Sequence, residues 1–81
     1  MTISELKEWV SRGSEIEFEY KNIKYSITYF AKKDESWISF CEFYKEPTNV
    51  KGVNELLEII VDGEPLKLIL LKLSLDDMYV T

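Results

Sequence analysis

The stretch EIEFEYKNIKYSITYFAKKDESWISFCEFY, residues 15–44, decides the fold. Glu15, Glu17 and Glu19 alternate without a break with Ile16, Phe18 and Tyr20, the period of a strand with one apolar and one solvated face. Lys21-Asn22 suits a two-residue hairpin turn, because asparagine tolerates the left-handed backbone. Ile23, Tyr25, Ile27 and Tyr29 then alternate with Lys24, Ser26, Thr28 and Phe30, which predicts a second strand over residues 23–30. A turn of two residues pairs Tyr20 with Ile23, so the two apolar faces coincide and Lys24 comes opposite Glu19. Residues 31–36 read as a mobile polar loop of mixed charge. Residues 37–44 form a third strand, apolar on both sides. Trp37, Ser39, Cys41 and Phe43 alternate there with Ile38, Phe40, Glu42 and Tyr44, and the pattern leaves open which set points inward.

Outward from this stretch the period changes. Thr2-Ile3-Ser4-Glu5 fits a capping box, in which the threonine hydroxyl and the glutamate carboxylate satisfy free amides at a helix start. Ile3, Leu6 and Val10 follow at helical spacing with Trp9 as a core or core-edge anchor, and Gly13 is a natural stop, so a helix is expected over residues 2–12. Past the break at Glu46-Pro47-Thr48-Asn49, Val53, Leu56, Leu57 and Ile60 predict a second helix over residues 52–60, ended by Asp62-Gly63. Ile59, Ile60 and Val61 are β-branched, so an alternative lets residues 58–61 peel off as a short extended segment. Pro65 suits the first turn of a third helix carrying Leu66, Ile69, Leu70 and Leu73 on one stripe. A strand competes over residues 66–73 because the same leucines can be counted at period two; leucine and lysine favour the helix. Residues 74–81 read as a tail in which Asp76 and Asp77 open a last turn. The expected fold is α+β in one domain, residues 1–81. It is a three-stranded antiparallel meander with an N-terminal helix and two C-terminal helices packed mainly on one face.

Composition narrows the chemistry. The 81 residues contain no histidine and one cysteine, which removes the commonest general base and the usual structural zinc sites. Gly13, Gly52 and Gly63 stand far apart, so there is no phosphate-cradling loop. Cys41, with no nearby histidine or basic helix start to activate it, reads as a small buried hydrophobe. The expectation is a non-catalytic protein with no metal and no cofactor. No apolar run approaches the roughly 20 residues of a membrane span, and residues 1–10 lack the character of a signal peptide, so a cytoplasmic protein is expected. The net charge of −5 repels phosphate backbones in general. It is split unevenly: residues 1–20 carry two positive charges against five negative, residues 21–51 six against four, and residues 52–81 two against six.

Three features could carry function. Leu68 and Leu71 fall on the far side of the third helix, where one sheet face cannot also cover them. With Leu75 and Met78 they suggest a contact with another protein, or a homodimer. The competing reading is that the tail folds back over them. The second surface mixes aromatics with bases, namely Lys24, Phe30, Lys32, Lys33 and Lys45, with Tyr44 beside them, as sheets that stack single-stranded nucleic acid do. The order helix, three strands, helix over residues 3–60 also resembles double-stranded-RNA-binding domains. The resemblance implies phosphate contacts from a basic helix start; this sequence has Gly52-Val53-Asn54-Glu55 in that place, with Lys51 before it. The third is the acidic residues Glu15, Glu17, Glu19, Glu55, Glu58, Asp62 and Glu64, which could cover a basic partner or imitate DNA; solvation explains them adequately. The leading expectation is a protein–protein interaction domain, and the alternative a nucleic-acid-binding module.

Overall fold

In the computed structural model, which describes residues 2–81 without the side chain of Leu75, the meander is the centre of a larger sheet. Helix α1 spans Ile3–Ser11, followed by strands β1 (Ile16–Tyr20), β2 (Ile23–Lys32) and β3 (Glu35–Glu42). Strand β4 (Thr48–Val50) and helix α2 (Val53–Leu57) come next, then two short strands, β5 (Ile60–Val61) and β6 (Glu64–Pro65). Helix α3 (Leu66–Lys72), a 3-10 turn at Leu75–Asp77 and strand β7 (Met78–Val80) complete the chain. The main sheet is antiparallel in the order β4-β3-β2-β1-β7, and β5 with β6 makes a separate hairpin.

The local signals act as chemistry requires. Thr2 accepts from the Glu5 amide at 3.1 Å while the Glu5 carboxylate accepts from the Thr2 amide at 2.9 Å, closing the capping box. At the other end of α1, Gly13 takes φ 75, and the amides of Gly13 and Ser14 donate to Val10 and Trp9 carbonyls, a Schellman arrangement. Lys21 and Asn22 both lie in the left-handed region, so the β1–β2 hairpin is of the type whose twist matches its strands. Tyr20 pairs with Ile23 and Glu19 with Lys24, in the register read from the sequence.

Register fixes the two faces. Ile16, Phe18, Tyr25, Ile27, Ile38 and Phe40 are buried and form one cluster with Leu6 and Val10 of α1, Leu56 and Leu57 of α2, and Leu66, Ile69, Leu70 and Leu73. Ile38 and Phe40 are therefore the inward set of β3. Residues 66–72 are helical, with the expected stripe inside. On the opposite face, Glu17, Glu19, Lys24, Ser26, Thr28, Phe30, Trp37, Ser39 and Cys41 are all exposed or half-buried. Cys41 is thus half-buried on the open face rather than in the core, and its Sγ lies 3.0 Å from the carbonyl oxygens of Glu42 and Lys45.

Several segments differ from expectation. Residues 31–36 are not a loop: β2 and β3 stay paired out to Lys32 and Glu35, and Lys33, at φ 53, makes the turn. Strand β3 correspondingly ends at Glu42, because Phe43, Tyr44 and Lys45 turn, with Tyr44 at φ 69. The second helix stops at Leu57, and Ile60 and Val61 become β5, as their β-branched side chains favour. Asp62-Gly63, at φ 53 and 79, is the turn of the β5–β6 hairpin rather than a helix stop. Finally, residues 48–50 and 78–80, read as connection and tail, are the two edge strands. The order helix, three strands, helix on which the likeness to double-stranded-RNA-binding domains rested is therefore not kept, since β4 stands between β3 and α2. No helix among the described residues is long and apolar enough to cross a membrane.

Candidate functional site

The helix stripe that fills the core leaves two leucines outside. Leu68 and Leu71 lie three residues apart on α3, which puts them on one face of the helix. They are 45 % and 49 % exposed while Leu66, Ile69 and Leu70 are at or near zero. The Leu75 side chain lies outside the described residues. Met78 does not join them: it sits on β7 beside Phe18, half-buried against the core. There it lines a cleft of about 300 Å3 with Glu17, Glu19, Lys24, Phe43 and Tyr79, walled by Asp76 and Asp77.

The basic and aromatic set is divided by the strand geometry. Lys24 and Phe30 share the open face of β2 but stand six residues, roughly 20 Å, apart. Phe30 stacks on Trp37 with ring centroids 5.5 Å apart, and Lys32 and Lys33 lie at the same end of the sheet. Lys24 and Lys45 belong to the other end, where Lys24 is opposite Glu19. Trp37 thus belongs to this surface, which its alternation with Ile38 alone did not show.

A further surface was not anticipated. Three turns converge at the end of the sheet: the β1–β2 hairpin, the turn after β3, and the β5–β6 hairpin. The two hairpins are tied by side chains. The Lys21 ammonium lies 2.7 Å from the Asp62 carboxylate, and the Tyr20 hydroxyl donates to Glu64 at 2.6 Å. Lys72 holds the other Glu64 oxygen at 2.5 Å. These bonds, Lys72 first and then Tyr20, hold the Glu64 carboxyl below its ordinary pKa, and Glu64 in turn raises the Lys72 ammonium. Hydrogen bonding to Asp62 raises Lys21 in the same way.

Between these turns lies a groove of about 500 Å3 lined by Tyr20, Lys21, Ile23, Tyr25, Glu42, Ile60, Val61 and Asp62. A neighbouring groove of about 470 Å3 shares Ile23 and Glu42 with it and adds Phe43 and Tyr44. Ile23, Ile60 and the fully exposed Tyr44 are three of the seven exposed large apolar side chains among the described residues. Tyr25, 5 % exposed, is stacked between Phe18 and Phe40 at 5.3 and 5.5 Å. Among the described residues no hydrogen bond engages its hydroxyl and no ion pair engages Glu42. No polar or charged residue among those described is buried, and no cluster of carboxylates and thiol is placed to hold a metal ion. No family model matches the chain, and no curated protein or solved structure is significantly similar to it.

Proposed function

We propose that this chain is a protein–protein interaction domain without chemistry of its own, working in the cytoplasm and self-associating through the outer face of α3. The observation that carries this reading is the division of one helix into a stripe that fills the core and a pair, Leu68 and Leu71, that stay about half exposed. Seven residues of helix are only about 10 Å long. A contact centred on them falls short of the roughly 800 Å2 per partner of a stable interface, so the dimer is of the weak, transient class. Light scattering over a concentration series tests it. A mass rising from about one chain toward two, abolished by Leu68→Lys with Leu71→Lys, supports the contact; a constant single-chain mass defeats it.

One observation favours a second reading, the nucleic-acid module. Phe30 stacked on Trp37 next to Lys32 and Lys33 is a platform of the kind on which unpaired bases stack. Glu35, paired with Lys32, and the chain's net charge of −5 weigh against it. Absence of anisotropy change with labelled single-stranded RNA at low salt would remove this alternative.

A further inference from the structure

The groove between the three turns has an apolar rim, one uncompensated negative charge and one unused hydroxyl. Lys21 and Asp62 neutralise each other on its edge, which leaves Glu42 as the net charge. Lys24 lines the neighbouring groove but not this one. Glu42 follows Ile38 and Phe40 on the inward side of β3 and is half-buried, opposite Tyr25 in register. Among the described residues every buried side-chain polar atom has a partner, so the Tyr25 hydroxyl, which has none there, opens to the groove that its residue lines. Burial, and after it the charge of Glu42, raises the pKa of Tyr25, so this hydroxyl stays protonated.

We infer that this groove docks a basic side chain of a partner protein, an arginine or lysine carried on an apolar stretch of peptide. The carboxylate of Glu42 accepts charge-assisted bonds from such a cation, and the Tyr25 oxygen accepts one more. The stem and flanking residues of the peptide lie on Ile23, Ile60 and Tyr44, which together reach past the footprint of a free amine. The backbone points the same way. Tyr44 keeps a left-handed conformation that costs a bulky residue energy, in a turn closed by the Lys45 amide on the Glu42 carbonyl at 3.0 Å, while its ring is fully exposed. The chain's charge of −5 draws a basic partner toward it. The site uses none of the α3 residues, so it stands or falls apart from self-association.

The test is fluorescence anisotropy with a labelled nonapeptide that places one arginine among leucines, beside versions with citrulline or glutamate instead. The arginine peptide should bind, the citrulline version about tenfold more weakly, and the glutamate version not measurably. Glu42→Gln should erase most of the preference for arginine, Tyr25→Phe should weaken binding about threefold, and Ile60→Lys should weaken it further. Glu58→Gln removes the same charge from α2's exposed end and should change nothing. Circular dichroism on each variant separates lost binding from lost fold. No binding of the arginine peptide, equal binding of the citrulline version, or equal effects of Glu42→Gln and Glu58→Gln would overturn the inference. So would saturation by acetyl-arginine amide at the peptide's own affinity, which would make this a small-cation site. The solution mass of the same samples reports self-association separately.

Discussion

The Tyr20 hydroxyl donates to the Glu64 carboxylate at 2.6 Å, joining two residues 44 positions apart. The bond ties the β1–β2 hairpin to the β5–β6 hairpin and, through Lys72 on the other carboxylate oxygen, to α3. Lys21 and Lys72 lie 5.4 and 6.0 Å from the centre of the Tyr20 ring. Tyr20→Phe keeps the ring and removes one donor, so it should lower the urea midpoint at an unchanged slope. Combined with Glu64→Gln it should cost less than the two single changes added, because both break one network. Strict additivity would mean that the bond contributes nothing.

The same network makes stability depend on acid. Glu64 has its pKa lowered in the folded chain, chiefly by Lys72 and then by Tyr20. A carboxyl lowered on folding contributes above its unfolded pKa, and that contribution is lost as pH falls through the folded value. Urea midpoints should therefore fall below the ordinary carboxylate range, and less steeply in Glu64→Gln. Lys72 and Lys21 are raised, so their contributions hold below the unfolded lysine pKa and fade only as strongly alkaline pH passes the folded values. Acid profiles of the parent and Glu64→Gln that run parallel would contradict this.

Tyr44→Gly should stabilise the protein although it deletes an aromatic ring. At φ 69 any residue with a Cβ is strained by roughly 1 kcal/mol or more, and glycine is not. The fully exposed ring contributes nothing to the core beyond an edge contact with Phe43, centroids 6.3 Å apart. Part of the gain is lost to the greater freedom of glycine in the unfolded chain, which leaves a net change of about 0.5 kcal/mol. A drop in melting temperature would show that Tyr44 packs usefully and that its conformation needs no functional reason.

Legibility in the sequence followed the length of each pattern. The alternations in 15–30 and the box at Thr2 and Glu5 run long enough to declare strands and a helix start, and the structure places them so. Strands β4 and β7 have three residues each, too few to show a period, and they exist because β3 and β1 offer them free edges. Asp62-Gly63 is a strong hairpin signal that sits directly after a helical stripe, where it also makes sense as a stop. The outward positions of Leu68 and Leu71 were readable because a helix sorts its own leucines, whereas Met78 is carried away from them by β7. The groove was not, since Ile23, Glu42, Tyr44 and Ile60 come from separate turns and meet only through tertiary structure.

The two sides of α3 and its neighbours should respond very differently to truncation. Leu56→Ala or Leu66→Ala empties a fully buried site and should cost about 2–5 kcal/mol, comparable with the roughly 3–5 kcal/mol that a core this small supplies. These variants should be largely unfolded at room temperature. Leu68→Ala and Leu71→Ala should stay within about 0.5 kcal/mol of the parent when measured as monomers. Thermal melts at low concentration separate the two groups. Equal losses at Leu68 and Leu56 would put Leu68 in the core and remove the basis for the α3 contact.

Ending the chain after Asp77 should turn a well-behaved protein into an aggregating one. Strand β7 pairs Met78 with Phe18, Tyr79 with Glu17 and Val80 with Ile16, and Thr81 exchanges backbone bonds of 2.9 and 3.2 Å with Glu15. Without it, β1 becomes an edge with unpaired amides and carbonyls beside the apolar Ile16 and Phe18. The alternating acids Glu15, Glu17 and Glu19 on the other face would slow such pairing and not prevent it. Light scattering during a slow heating ramp should show the shortened chain associating well below the parent's melting temperature. Matching, reversible melts for the two chains would mean that β7 is an ornament on β1 and that a three-stranded centre is sufficient, as the sequence first suggested.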